Sequence, residues 1–148
     1  SIEEECRWIE GEIKAVKDEL SLENKDICIV ARTSKLLTRY QSLLEAAGYK
    51  TSRLSRTAPD NAQKDCLRLA TMHRVKGLEF RAVFIVGASV GQIPFGGYQT
   101  EDKEEAAVND RTERSLFYVA ASRAKDALFV SCNGEPGAFL RTLMKKQQ

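Results

Sequence analysis

Apolar residues at Ile2, Cys6, Ile9, Ile13, Val16 and Leu20 recur every three or four positions, which predicts an amphipathic helix at the start of the chain. The pattern then changes. Asp26–Arg32 (DICIVAR) is a nearly continuous apolar run with polar ends, the mark of a strand buried on both faces. Thr33 or Ser34 can cap a second helix with Leu36, Leu37, Tyr40, Leu43, Leu44 and Ala47 turned inward, and Gly48 supplies a left-handed stop. A short strand is expected around Tyr49–Leu54, then a polar loop over Ser55–Lys64 that contains Pro59. Leu67–Thr71 and Ala82–Val86 read as further strands. A long loop follows from Gly87 to Thr100, with four glycines and Pro94. Asp102 and Glu105 have capping-box spacing and open a helix expected to run to about Ser122, and its largely apolar or small stretch Glu113–Asp126 is expected to be buried. Ala127–Cys132 is the last apolar strand. Pro136 opens a final helix with Phe139, Leu140, Leu143 and Met144 inside.

Short apolar strands alternating with helices imply an α/β fold, with a mostly parallel sheet covered on both faces. Ligands of such sheets gather beyond the carboxyl ends of the strands. The length of 148 residues suits a single domain, 1–148, with a full core. The chain opens on Ser1 rather than Met and is expected to be a piece of a larger protein. No apolar run is long enough to span a membrane, and no charged-then-apolar leader is visible, so a cytoplasmic location is expected. Cys6, Cys28, Cys66 and Cys132 form no C-x-x-C pair and are expected to be small buried hydrophobes rather than metal ligands. The net charge of +2 does not announce a polyanion partner, so any nucleic-acid site must be a local patch.

Three polar sites are expected just after apolar strands. Arg32, Thr33 and Ser34 suit a phosphate at a strand-to-helix junction; the plain alternative is helix capping beside a solvated arginine. In the stretch Leu69–Phe80, Thr71 and the single histidine, His73, can donate to phosphate or sugar oxygens. Gly77 permits close approach of a ligand to the backbone, and Glu79 can accept from two sugar hydroxyls. His73 alone would read as a structural histidine. In ERSLFYVAASRAKD (Glu113–Asp126), small residues precede Arg123 and allow the helix to aim it at one place. It can stabilise charge on a transferred phosphoryl group, or simply favour the helix C-terminus, as Lys125 can.

Together these segments resemble the second motor domain of the UvrD/Rep-type superfamily 1 DNA helicases. Thr71–Phe80 looks like motif V and Leu116–Leu128 like motif VI. Gly87, Gly91 and Pro94 fit the family's G-x-x-x-G-x-x-P pattern between them. CIVARTS looks like the segment that opens the later half of this domain. The resemblance covers most of the chain and implies a RecA-like (P-loop NTPase type) three-layer fold. It implies that Arg123 reaches the γ-phosphate of ATP held on the other motor domain, that Glu79 meets the ribose, and that Gly77 lies beside the phosphates. It implies that Thr71, His73 and Arg32 face single-stranded DNA, with Arg74 adding basic character to the track.

The chain departs from the family in having no G-x-x-x-x-G-K-[ST] loop and no acidic pair ending a strand for magnesium. These belong to the family's N-terminal motor domain, which would hold Mg2+ and partner this one. ATP lacks a cradle here, so the chain alone is expected not to hydrolyse it. The aromatic-arginine motif that precedes this region in the family is absent. Only Tyr49–Asp65 is available where family members carry a large inserted subdomain, and Ser122 stands where threonine is usual. The expectation is the C-terminal motor domain of an ATP-dependent DNA helicase or translocase, in DNA repair or a related pathway. The competing expectation is a nucleic-acid-binding or interaction module that keeps the fold without the motor. Phe95 or Tyr98 are the candidate stacking aromatics.

Overall fold

The computed structural model describes residues 1–55, 64–96 and 100–146. Most of the polar loop containing Pro59 lies outside them, as does Tyr98. The elements follow in the order α1 (Ile2–Leu20), β1 (Ile27–Ala31), α2 (Ser34–Ala46), β2 (Thr51–Arg53), β3 (Leu67–Thr71), β4 (Phe80–Ile85), α3 (Lys103–Ala121), β5 (Ala124–Val130) and α4 (Ala138–Lys146). The five strands form one sheet in the order β2-β3-β1-β4-β5, and every pairing is parallel.

The two-residue alternation of the strands sorts the core into two layers. Ile27, Ile29 and Ala31 of β1, with Leu67, Leu69, Ala82 and Phe84, meet α1 and α2. Cys28 and Val30, with Ala70, Val83 and Ile85, meet α3 and α4. All five residues of β1 are buried, because both of its faces and both of its edges are covered. Thr33 caps α2 by accepting from the Leu36 N–H at 3.2 Å. Gly48 ends that helix at φ +101°. Cys6, Cys28 and Cys66 are buried and Cys132 half-buried. Burial, then the nearby Glu10 and Glu5 carboxylates, push the Cys6 thiol up to about 11.

The structure corrects several expectations. Ala47 and Met144, expected inside, are exposed. The Glu113–Asp126 stretch, expected to be buried, is only partly so: Arg114, Ser115, Tyr118 and Ser122 are exposed, and the earlier turns of α3 are exposed as well. Only Glu113, Phe117 and Ala120 are covered, because the helix meets the sheet along a single stripe near its C-terminal end. β5 begins three residues earlier than its apolar run. Its opening residues Ala124, Lys125 and Asp126 belong to a half-exposed edge strand, where polar side chains are tolerated.

One buried acid ties the layers together. Glu5 is 5% exposed and lies on the apolar stripe of α1. It accepts from the Tyr40 hydroxyl, the Gly87 N–H at 2.9 Å, the Ser131 hydroxyl at 2.6 Å and the Asn133 amide at 2.8 Å. Its partners come from α2 and from the segments following β4 and β5. Burial first, and then the bond to Glu5, hold the Tyr40 hydroxyl far above the usual tyrosine range. Gly87 is required at its position: it sits at φ +67°, and a Cβ there would lie 2.8 Å from Leu36 Cδ2. Glu5→Ala is expected to lower stability by about 3 kcal/mol, since it strands several buried donors. Tyr40→Phe should cost clearly less. Urea unfolding followed by circular dichroism checks both, and equal, small losses would show that the network contributes little.

Candidate functional site

The residues singled out in the sequence separate to two opposite edges of the sheet. Arg32 follows β1, and Ala31 pairs with Thr71 of β3, so Arg32, Thr71 and His73 share the carboxyl edge. Glu79 precedes β4 and Arg123 precedes β5, so these two lie at the amino edge. The expectation that all three polar sites follow strands is therefore wrong for Arg123 and for Glu79. The segment 72–79 connects the edges. It leaves β3 at the carboxyl end and enters the parallel strand β4 at the amino end, crossing the length of β1, about 16 Å for five residues. Met72 and Val75 anchor this crossing in the core beneath α3 and α4.

At the carboxyl edge Arg32 is neither a solvated arginine nor an exposed one. It is 5% exposed, and its Nε and Nη2 donate to the two oxygens of Glu113, itself 3% exposed, at 2.9 and 2.8 Å. The Phe95 N–H donates to the same carboxylate at 2.8 Å, and the Phe95 ring lies 4.9 Å from the guanidinium. Phe95, a candidate stacking aromatic, thus packs on Arg32. Burial raises the Glu113 carboxyl, but the Arg32 bond, the Phe95 N–H and the Arg32 charge outweigh it, leaving the group below its ordinary range. His73 is exposed, yet it is also held below its ordinary value, first by partial burial of the ring and then by the Arg32 charge, with Glu113 opposing. The shift favours the neutral ring. Of the basic groups expected on this edge, Arg32 is matched by Glu113 and His73 is shifted toward its neutral form, which leaves the half-buried Arg74 as the charged group. Thr71 Oγ1 accepts from the Arg74 N–H at 3.3 Å, and the Thr71 carbonyl accepts from the Arg74 and Val75 N–H groups.

At the amino edge Arg123 bends back over its helix end. Its Nε donates to the Val119 carbonyl at 3.1 Å, Nη2 to the Ser122 hydroxyl at 3.0 Å and Nη1 to the Leu78 carbonyl at 3.5 Å. The Phe80 N–H donates to the Arg123 carbonyl at 2.9 Å. Glu79 pairs with Lys125 at 3.3 Å, with both side chains largely exposed. Gly77 adopts φ +83° with open space where a Cβ would stand, so the turn itself requires glycine and the backbone is accessible. Gly77, Glu79 and Arg123 therefore adjoin, as do Arg32, Thr71 and His73, and the two groups are separate.

Glu113 and the Phe95 N–H were missed as site components. Glu113 stands on the buried stripe with Phe117 and Ala120, and an acid on an apolar stripe is the signal that could have found it.

An all-parallel sheet in this order, layered by helices and crossed by a polar segment joining its two edges, is a RecA-like α/β domain. The chain belongs to the UvrD-like helicase C-terminal domain family, which it matches over residues 41–135. It is 36% identical over 110 residues to YjcD of Bacillus subtilis, covering 73% of this chain and 13% of that protein. It is 34% identical over 90 residues to the ATP-dependent DNA helicase PcrA of the same organism, covering 61% of this chain and 11% of that protein. The chain thus spans about an eighth of the length of these relatives. The crystal structure of the C-terminal domain of a possible DNA helicase from Lactobacillus plantarum WCFS1 shares the fold, with a TM-score of 0.66 at 19% identity over 92% of this chain and 71% of that one.

The Arg32–Glu113 pair should behave as a buried ion pair. Glu113→Ala is expected to cost about 4 kcal/mol by leaving a buried charge alone, and the double change Arg32→Met with Glu113→Leu to cost clearly less. Because the Glu113 carboxyl is lowered on folding, its stabilisation is full above its unfolded value of 4.5 and is lost as pH falls through the folded value. Denaturation midpoints across pH 3–7 for the three proteins read both effects; additive losses would contradict the pairing.

Proposed function

We propose that this chain is the second motor domain of an ATP-dependent DNA helicase or translocase. The single observation that carries the reading is the 72–79 crossing, which has one candidate ligand group at each end. On this reading single-stranded DNA lies at the carboxyl edge. Thr71 accepts from a backbone N–H and can still donate its own hydrogen to a phosphate. His73, shifted toward its neutral form, would contribute a hydrogen bond more than a charge. Arg74 supplies the phosphate attraction, and Arg32 acts through its hold on Glu113 and Phe95, touching the strand only as far as that pairing allows.

ATP would lie at the amino edge, between this domain and an N-terminal motor domain that provides the phosphate loop and the Mg2+ ligands. The residues present fit one side of a nucleotide. Glu79 can exchange its exposed Lys125 partner for ribose hydroxyls, because a surface pair of that kind is worth about 1 kcal/mol or less. Arg123 can uncurl from Val119, since the bonds it would lose are exposed or half-exposed and water replaces them. Its guanidinium would then match charge developing on the γ-phosphoryl oxygens. Movement of the Glu79 end as the two domains close would be transmitted along the anchored crossing to Thr71 and His73, and would reset the grip on DNA. A stand-alone binding module explains Arg74 and Thr71 but leaves Glu79 and Arg123 without a use.

A labelled single-stranded oligonucleotide should bind this chain in a salt-dependent way. Arg74→Ala is expected to reduce the slope of log K against log salt by about 1, and His73→Ala to weaken binding without changing that slope. Equal slopes for Arg74→Ala and the parent would remove Arg74 from the track.

In the complete polypeptide, Arg123→Ala should lower kcat for ATP hydrolysis by roughly a thousandfold while leaving oligonucleotide affinity within about twofold. Undiminished turnover would exclude the arginine-finger role. A complete polypeptide that binds DNA but never hydrolyses ATP would favour the module.

A further inference from the structure

Lys35, Arg39 and Arg53 form a basic patch on the outward face of α2, and among the described residues none of the three has an ion-pair partner. Ser34, Lys35, Thr38, Arg39 and Ser42 recur at helical spacing, and all five are exposed. Lys35 and Arg39 stand four residues apart, about 6 Å along the axis, where like charges destabilise a helix. The one acid of α2, Glu45, lies at the far end of the helix, where it accepts from the Thr51 hydroxyl at 2.6 Å. Arg53, the last residue of β2, is half-buried and turned toward the start of α2. Its Nη2 donates to the Ser34 carbonyl at 2.7 Å and to the Ser34 hydroxyl at 2.5 Å. Its Nη1 donates to the Thr38 hydroxyl at 2.7 Å and to the Gln41 side-chain carbonyl at 3.5 Å. All four acceptors are uncharged, so they fix the guanidinium and leave its charge uncompensated.

We propose that this face of α2 holds the phosphate backbone of duplex DNA, at the point where the duplex parts into the single strand of the carboxyl edge. The chemistry chooses a duplex. Cations interleaved with hydroxyls are the groups that contact phosphates without reading sequence. A single-strand site also needs aromatic side chains on which unstacked bases can lie. The outward face of α2 has none: its one aromatic residue, Tyr40, is fully buried, as are Leu37 and Leu44. A duplex keeps its bases stacked on one another and presents phosphates, which is all this face can use. The position chooses the junction. Arg53 is in register with Leu69, two residues or about 7 Å before Thr71, so the patch adjoins the carboxyl edge. α2 covers one face of the sheet, whereas Met72 and Val75 anchor the 72–79 segment on the other. The edge therefore lies between the patch and the group Thr71, His73 and Arg74. A duplex standing against α2 can pass one of its strands over that edge to Arg74. Because Arg53 is already held in place, it meets the backbone with little further ordering. The choice of DNA and of the junction rests on the reading of the carboxyl edge as a DNA track.

Binding of the complete polypeptide, without nucleotide, to three labelled DNAs across a salt series tests it: a single strand, a blunt duplex and a duplex with a single-stranded tail. The double change Lys35→Gln with Arg39→Gln removes two exposed charges and is expected to leave the unfolding midpoint unchanged. It is expected to weaken both duplexes about tenfold at low salt and to reduce their slope of log K against log salt by about 2, with single-strand affinity kept within about twofold. Unchanged slopes on both duplexes would overturn the proposal. So would an equal loss on the single strand, which would assign α2 to the single-strand track. Phosphatidylserine vesicles that bind the parent protein more tightly than the blunt duplex does would assign the face to a membrane surface and overturn it as well. Arg74→Ala separates this proposal from the track reading: it is expected to weaken the single strand and the tailed duplex and to spare the blunt duplex. Loss of that Arg74 effect, with the α2 effect on both duplexes intact, would sink the track reading and leave the duplex face standing.

Discussion

A single buried ion pair decides how the carboxyl edge of this domain is built. Arg32 leaves β1 at the point where the core ends, and Glu113 meets it from the middle of α3 with two hydrogen bonds. Through the Phe95 N–H the same carboxylate fixes the loop after β4. Three segments that do not adjoin in sequence are thereby set relative to one another. The helix so positioned is the one that leads into Arg123. Neither charge could be buried without the other, so the pair either forms completely or the edge rearranges. Arg32 is consequently a residue of the scaffold first, and any contact with a ligand must be made within that constraint.

The second constraint is topological. β3 and β4 are parallel and separated by β1, so the chain joining them must travel from one edge of the sheet to the other. An eight-residue stretch does this without a helix, held down by Met72 and Val75 and turned at Gly77. Polar residues at its two ends are close in sequence and far apart in space. That arrangement can carry information between two ligands, because a stiff, anchored segment moves as a unit. The Glu5 network complements it from the other face by locking α1 to α2 and to the segments after β4 and β5.

The elements were largely legible from periodicity. The three-and-four spacing of α1, the unbroken apolar run of β1 and the Asp102 cap of α3 all correspond to observed structure. Burial was less legible. Tyr118 belongs to the apolar stretch expected to be buried, yet it lies on the open side of a helix with only one packing stripe. The apolar spacing identifies which residues could face a neighbour, not whether one is present. Glu5 and Glu113 were hidden for the complementary reason: each is an acid whose burial is stabilised by partners distant in sequence.

Local chemistry therefore determined the helices, the strands, the caps at Thr33 and Asp102 and the candidate residues of the 71–79 segment, because spacing and side-chain type act over a few residues. Tertiary structure alone decided that Arg32 is paired rather than solvated, that His73 is shifted further toward its neutral form, and that Glu79 and Arg123 stand at the edge opposite Thr71. Those outcomes depend on which groups meet across the sheet. Burial and charge pairing are properties of surroundings that long-range strand order assembles, and no local pattern encodes that order.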